Sequence, residues 1–308
     1  MAKALVLFSG GLDSRLVVKI LQEQGTEIEL LHFRLPFGCG CCNSTECNFN
    51  FSQKSEAKLT IMDCTKGELF NEYLEVIKHP RHGRGSGLNP CIDCKIFMFK
   101  KAGEYAKNNK IQIIATGEVL GERPMSQTSS ALSKIDKEIG FEIIRPLSAK
   151  LLSETKAEKQ KLVDRSKFLD IQGRKRNIQM GLAKKYNISY PTPAGGCLLC
   201  EKVYSARLKD FFNHEKNTSI TPEELSTLAN FRHFREKGKI LLGRNESENA
   251  LLEQLNKSLK WDIVIPKEFP GPTAIFENPE DKQIAESLIK AYSSKKLEER
   301  KKFDKFRI

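Results

Sequence analysis

The stretch "LVLFSGGLDS", residues 5–14, decides the fold. Its apolar run to Phe8 has the length and composition of a buried strand. The run breaks into Ser9-Gly10-Gly11, and from Ser14 an apolar pattern of helical period begins. Two glycines let backbone N–H groups close on an anion with no Cβ in the way, and the following helix points its positive end at it. Ser9 and Ser14 add hydroxyl donors. Asp13 repels a bare phosphate, which points to Mg²⁺ bridging the phosphates. A P-loop of the Walker type is excluded, because no Gly-Lys-Ser/Thr follows.

Outward from this loop, strands and helices alternate. Apolar runs at 4–8, 27–33, 59–63, 111–116 and 142–147 read as strands, with helices from Ser14 and Thr65 between them. Strands that look buried on both faces, joined by helices, give an α/β fold with a doubly wound parallel sheet. Ligands of such sheets bind beyond the carboxyl ends of the strands, so chemistry is expected after Phe8, Phe33, Asp63 and Ala115. Past residue 152 the pattern turns basic and helical. The polar run 213–222 and "TPEE", a Thr cap followed by Pro and acids, suggest a boundary there, giving domains 1–212 and 213–308, the second a smaller α/β module.

The 308 residues are 39% apolar and carry a net charge of +12, which suits a polyanionic partner. Residues 213–308 hold 18 basic and 16 acidic side chains, whereas 78–110 holds 8 and 2 and 145–185 holds 12 and 4. The first domain is therefore expected to grip a polyanion too. No apolar run is long enough for a membrane span and the N-terminus shows no signal-peptide pattern, so a cytoplasmic protein with no membrane partner is expected. Nine cysteines without an export signal imply reduced thiols that react or bind metal.

The hexad Ser9–Ser14 resembles the PP-loop of the ATP pyrophosphatase superfamily, whose members adenylate a substrate and release pyrophosphate. The resemblance implies ATP and Mg²⁺ as cofactors, with Ser9, Gly10, Gly11, Asp13 and Ser14 on the nucleotide. The loop "TGEVLGERPMSQ" (116–127) follows an apolar strand and would bring Thr116, Gly117, Glu118 and Gln127 to the same nucleotide. Arg145 and Lys150 lie on that edge as phosphate or RNA contacts.

The cysteines leave several chemistries open. "CIDC" (91–94) and "GGCLLC" (195–200) are both CxxC pairs, which suit a Cys₄ zinc knot of Cys91, Cys94, Cys197 and Cys200, a redox pair or an iron–sulfur site. Residues 89–132, "NPCIDCKIFMFKKAGEYAKNNKIQIIATGEVLGERPMSQTSSAL", are similar to the core of the tRNA 4-thiouridine synthase family. The CxxC with a third cysteine about a hundred residues on also looks like the iron–sulfur tRNA thiolases, whose 4Fe-4S cluster has three cysteine ligands and one open iron. The resemblance implies that Cys91, Cys94 and Cys197 ligate the metal, and that they and Asp13 carry the catalysis. Cys200 stands where a threonine is expected. Without a cluster, a persulfide route remains, with a thiolate activated by the helix N-terminus and Lys95. Cys39, Cys41, Cys42 and Cys47, with Cys64 beyond, form a second group for which metal or sulfur-relay roles are open. The glycine-rich loop "HPRHGRGSG" (79–87) is either an ordered cover or a mobile linker.

Residues 231–255 and 271–276 resemble the RNA-binding domain of the NFACT proteins of ribosome quality control. His233, Arg235, Arg244, Asn245 and Asn249 are then expected against RNA, and Phe231 and Phe234 in the core. In the first domain Lys100, Lys101, Arg174, Lys175 and Arg176 are the further RNA-contact candidates. The expected activity is an ATP-dependent tRNA sulfurtransferase that adenylates a uridine carbonyl and replaces its oxygen with sulfur, forming 4-thiouridine or else 2-thiouridine. tRNA and a sulfur donor (cysteine desulfurase, sulfur carrier or free sulfide) are the implied partners, and a homodimer is compatible with the sequence. A PP-loop ligase acting on a small molecule leaves the CxxC and the RNA-like module without a role. An RNA quality-control factor with a regulatory ATP loop is the remaining alternative.

Overall fold

The computed structural model describes residues 2–38, 45–192, 196–214, 220–294 and 297–308, the side chains of 45–47 and 222 excepted. The chain divides into two units, Met1–Cys200 and Glu201–Ile308.

The first unit runs β1 (Lys3–Leu7), α1 (Leu12–Gln22), β2 (Glu27–Arg34), α2 (Thr45–Lys54), β3 (Lys58–Asp63), α3 (Gly67–Lys78), α4 (Cys91–Asn108), β4 (Ile113–Thr116), α5 (Ser129–Ile139), α6 (Lys156–Lys159) and α7 (Asn177–Lys185). Its sheet has the order β3-β2-β1-β4, and every pairing is parallel. The α/β parallel sheet expected from the sequence is therefore present. The chain winds from β1 to β3 on one side and returns to β4 on the other, so the strand order reverses between β1 and β4. That crevice is where a ligand of such a sheet belongs. The register pairs Leu7 with Thr116, which sets the loop after β1 beside the loop after β4. Val6, Leu16, Val17, Ile113, Ala115, Phe168 and Ala183 are among the residues of the core that holds these ends in place.

Three expectations need correction. The run 142–147 is not a fifth strand, because only Ile144 bridges to Ala115 before Pro146 and Arg145 turn the chain. β3 is an edge strand with intermediate and exposed positions, not one buried on both faces. Of the two basic segments read as helical after 152, residues 153–166 are mostly turns, with one helical turn, α6, closed by a capping box between Thr155 and Glu158, whereas 174–187 holds the helix α7.

The second unit runs α8 (Lys202–His214), α9 (Pro222–Thr227), β5 (Arg232–Arg235), β6 (Lys239–Leu242), α10 (Glu246–Leu259), β7 (Asp262–Val264), β8 (Ala274–Phe276), α11 (Lys282–Ser293) and α12 (Leu297–Lys301). Its antiparallel sheet has the order β5-β6-β8-β7. Alternation along β6 sends Ile240 and Leu242 into the cluster containing Leu288 and Ile289 of α11, and Leu241 into the one with Leu252 of α10. Phe231 and Phe234 are core residues, as expected. The division precedes the expected 212/213, because α8 is tied into the second unit: Arg207 donates to the carbonyls of Leu228 and Phe231, and Asp210 holds Arg235. Among the described residues no helix is long and apolar enough to cross a membrane.

Candidate functional site

The loop after β1 is built for close backbone approach. Gly10 has a φ of +79°, and a Cβ there would meet the Asn48 Oδ1 at 2.0 Å. Asn48, on α2, is buried and gave no signal in the sequence. Its amide nitrogen lies 3.5 Å from the Nε2 of His32, whose Nδ1 lies 2.8 Å from the Phe8 carbonyl. That pairing suits a neutral ring with Nδ1 protonated, and burial lowers the His32 pKa. The Ser14 hydroxyl donates to the Gly11 carbonyl (2.9 Å), and Ser9 Oγ accepts from the Gly11 N–H (3.3 Å). Arg15 Nε holds the Gly10 carbonyl at 2.8 Å, fixing the turn from below.

Asp13 is partly exposed and receives Arg176 NH2 at 2.7 Å on Oδ2, while its Oδ1 is buried with no hydrogen-bond partner. Glu122 lies 3.8 Å from Arg176 Nε. Burial raises its pKa, Asp13 adds to the rise, and Arg176 acts against it. Asp13 and Glu122 thus share one guanidinium, and one Asp13 oxygen is left without a partner.

Gly117 packs on the start of α1: a Cβ there would stand 2.7 Å from main-chain atoms of both Asp13 and Ser14. The neighbouring Glu118 is buried and bridges Lys95 of α4 and Arg145, the latter at 2.8 Å. Burial works to raise its pKa, but Lys95 and Arg145 outweigh that and lower it. Its carboxylate is thus spent on holding α4 against the β4 loop, not offered to a nucleotide. Gln127 turns its Oε1 onto the Arg123 N–H at 3.1 Å, closing its own loop. Thr116 is buried, with its N–H on the Ile144 carbonyl.

The cysteines gather at the start of α4. Cys91 accepts from Asn89 Nδ2 at 3.2 Å, and Cys94 Sγ lies 3.1 Å from the Tyr73 hydroxyl. Leu88 N–H bonds the Leu199 carbonyl and Leu198 N–H the Phe37 carbonyl, which brings the 197–200 turn against the same place. Burial pushes the Cys94 thiol up to about 11, against Tyr73 and Lys95, and Cys197 up to about 12, with Cys94, Cys200 and Cys91 adding to the latter. These thiols are near enough to feel one another's charge. The activated thiolate expected from Lys95 and the helix N-terminus is therefore corrected: burial dominates, and Lys95 is bound to Glu118 and to the Ser126 carbonyl. Among the described residues no three His, Cys, Asp or Glu side chains stand close enough to hold one metal. Cys64 is fully buried, with its pKa raised by burial to about 12, and Cys200 is exposed. Cys39, Cys41 and Cys42, and the side chain of Cys47, lie outside the described residues.

The loop 79–87 is pinned, not a mobile linker. Asp93 accepts from the N–H groups of Arg81 and His82 (3.1 and 3.0 Å), and Arg84 closes the loop by donating to the Lys78 carbonyl at 2.9 Å.

The basic residues divide. Lys100, Lys150, Arg174 and Lys175 are exposed, and Lys101 pairs with Glu72 at 2.8 Å. Arg145 is buried between Glu118 and Asp136, so it is a structural cation and not an RNA contact. Arg176 faces the nucleotide loop. His233 is also corrected: it is buried, with Nε2 near the carbonyls of Thr227 and Asn230. Arg235 is clamped on Asp210, Asn245 caps α10, and Asn249 Oδ1 accepts from Thr273 N–H, so these three are committed to the module itself. Arg244 is half-exposed beside Glu248.

The family described as Thiamine biosynthesis protein (ThiI) matches residues 1–164, more than half of the chain. The chain belongs to this family. A tRNA-specific 2-thiouridylase MnmA of Campylobacter curvus is 29% identical over 170 residues, 50% of this chain and 48% of that protein. A probable tRNA sulfurtransferase of Methanocaldococcus jannaschii is 30% identical over 155 residues, 47% of this chain and 36% of that protein. The ThiI-family chain thus spans about half the length, or less, of these curated relatives. A solved 4-thiouridine synthetase–RNA complex with bound ATP is 20% identical, with a TM-score of 0.44, covering 74% of this chain and 50% of that one. The U34-tRNA thiolase NcsA from Methanococcus maripaludis, solved with its 4Fe-4S cluster, is 17% identical, with a TM-score of 0.40, covering 74% and 70%.

Proposed function

We propose that this protein is an ATP-dependent tRNA sulfurtransferase. The observation that carries the reading is the direct packing of the β4 loop on the PP-loop at Gly117, with Lys95 joining that loop to the cysteine helix through Glu118. Activation and sulfur delivery are thereby linked through one buried chain of contacts. ATP would sit on Ser9–Ser14, and a uridine carbonyl oxygen would attack the α-phosphate, releasing pyrophosphate. Sulfur then forms its bond to the activated ring carbon, and the oxygen leaves with AMP. Splitting the substitution in two lowers each barrier. Backbone donors of the loop, with Mg²⁺ held by Asp13, would take up the pyrophosphate charge.

Cys91, Cys94 and Cys197 would hold a 4Fe-4S cluster. Soft thiols suit it in chemistry, and the raised pKa values of Cys94 and Cys197 mean that cluster binding must displace their protons. When bound with one open iron, such a cluster can carry the sulfide. Sulfur comes from a donor protein or free sulfide, and the unit 201–308 would contribute RNA contacts as an NFACT-type module, with Arg244 its remaining candidate. The relatives, a tRNA-specific 2-thiouridylase and a probable tRNA sulfurtransferase, support thiolation of a tRNA uridine, and the resemblance of residues 89–132 to the 4-thiouridine synthases favours 4-thiouridine.

Mass spectrometry of tRNA nucleosides from a deletion strain tests the reading. One thionucleoside should vanish, and return with the wild-type gene but not with Asp13→Ala. An unchanged nucleoside profile would sink it.

A further inference from the structure

We propose that Arg176 and Gln179, at the start of α7, are polyphosphate ligands of the nucleotide site, and that the Arg176 guanidinium exchanges the Asp13 carboxylate for the phosphates. The proposal rests on Ser9–Ser14 being the nucleotide loop and adds to it a second wall that no motif announces.

Three observations converge. The Arg176–Asp13 pair is singly bonded, at 2.7 Å, although both groups can bond twice; Arg176 Nε and Asp13 Oδ1 are each buried without a hydrogen-bond partner. Gln179 is 0% exposed, and both its amide atoms are unpartnered. A buried amide in that condition is costly to a fold and is usually explained by something it binds. Finally, Gln179 stands three residues after Arg176 and four before Ala183, on the α7 face whose Ala183 joins the core cluster of α1. Arg176, Gln179 and Ala183 therefore share one face, with the Asp13 contact at one end and the apolar seam at the other.

The sequence "RKR" (174–176) reads as one basic patch, but the fold splits it. Arg174 and Lys175 are exposed, whereas Arg176 is turned onto the nucleotide loop. A triphosphate offers several anionic oxygens where Asp13 engages Arg176 through one. Arg176 can then fill both edges of its fork, Asp13 is released to the metal, and the Gln179 N–H₂ gains an acceptor. Both α1 and α7 begin here, so two helix N-termini favour the same negative charge.

The test is calorimetric titration of a non-hydrolysable ATP analogue with Mg²⁺, and separately of AMP, into the full anaerobically purified chain and its variants. Arg176→Ala should weaken the analogue by about tenfold to a hundredfold, the scale of a lost charged hydrogen bond, and AMP by far less. Its affinity for tRNA in a gel shift should not change, because the side chain faces the loop. Gln179→Leu removes the orphaned amide, so it should melt higher than wild type and yet bind the analogue more weakly. Equal analogue affinity in wild type and both variants would overturn the proposal, as would an Arg176→Ala loss confined to tRNA. Failure of the wild-type chain to bind either nucleotide would instead overturn the nucleotide-loop reading, and this proposal with it.

Discussion

The Tyr73 hydroxyl lies 3.1 Å from the Cys94 sulfur, reaching from α3 to the first turn of α4. Tyr73 is buried, its ring tilted against Phe37 and Phe97 with centroids 6.2 and 5.4 Å away. Apart from its hydroxyl it is an ordinary core residue. That hydroxyl opposes burial at Cys94, whose pKa is nonetheless pushed up to about 11. Tyr73→Phe keeps the ring packing and removes the opposing hydrogen bond, so the Cys94 pKa should rise further. In cluster-free protein at pH 9, iodoacetamide should label Cys94 severalfold more slowly in the variant, with Cys91 as the internal reference. An unchanged Cys94 rate would show that the hydroxyl does not donate to the sulfur.

Glu118 joins two cations inside the protein. Glu118→Gln would leave Lys95 and Arg145 without their shared carboxylate, although Arg145 keeps Asp136 at 2.7 Å. Breaking a buried pair from one side costs about 3–5 kcal/mol, and the surviving Asp136 contact puts the expectation at the lower end. Denaturant unfolding should show that loss, while the folded fraction at low temperature should bind the ATP analogue nearly as wild type does. A selective loss of nucleotide with full stability would return Glu118 to the nucleotide site.

Gly117→Ala is expected to act through the neighbouring loop. The added Cβ meets main chain at Asp13 and Ser14, not the flexible end of a side chain, so the loops must separate. Analogue affinity should fall at least about tenfold, because the N–H cradle is displaced as a unit. A crystal structure of the variant with an unmoved Ser9–Ser14 loop would contradict this.

The strand-loop-helix of residues 5–14 was legible because its signals are local: an apolar run, two glycines and a helical period follow one another directly. The parallel order followed from the same alternation. What stayed hidden depends on which elements meet across the fold. Asn48 under Gly10, Tyr73 on Cys94 and Arg176 on Asp13 are long-range contacts of ordinary residue types, and no spacing marks them. Arg145 and His233 were misread for the same reason: charge and polarity suggested a surface, and only the tertiary packing turns them inward. Likewise Asn245 and Asn249 have the look of ligand residues, and instead satisfy the main chain of their own module.

Lys239 offers a test confined to the second unit. It lies on β6, 4% exposed, with its ammonium 5.7 Å from the Phe211 ring centroid. Burial lowers its pKa to about 8, against the attraction of Asp210 and with the repulsion of Arg235. In the unfolded chain a lysine titrates near ~10.4. Below pH 8 both states carry the proton, and the folded state bears the cost of a buried charge. As pH rises from about 8 to about 10.4 the unfolded chain binds more protons than the folded one, so this group should add stability, on the order of 3 kcal/mol across the window. Lys239→Met should remove that slope and raise stability at pH 7. Trp261, the one tryptophan, lies in this unit and reports its unfolding by fluorescence. Denaturation curves of wild type and variant with equal pH slopes between pH 8 and 10.4 would mean that the ammonium is solvated in the folded state.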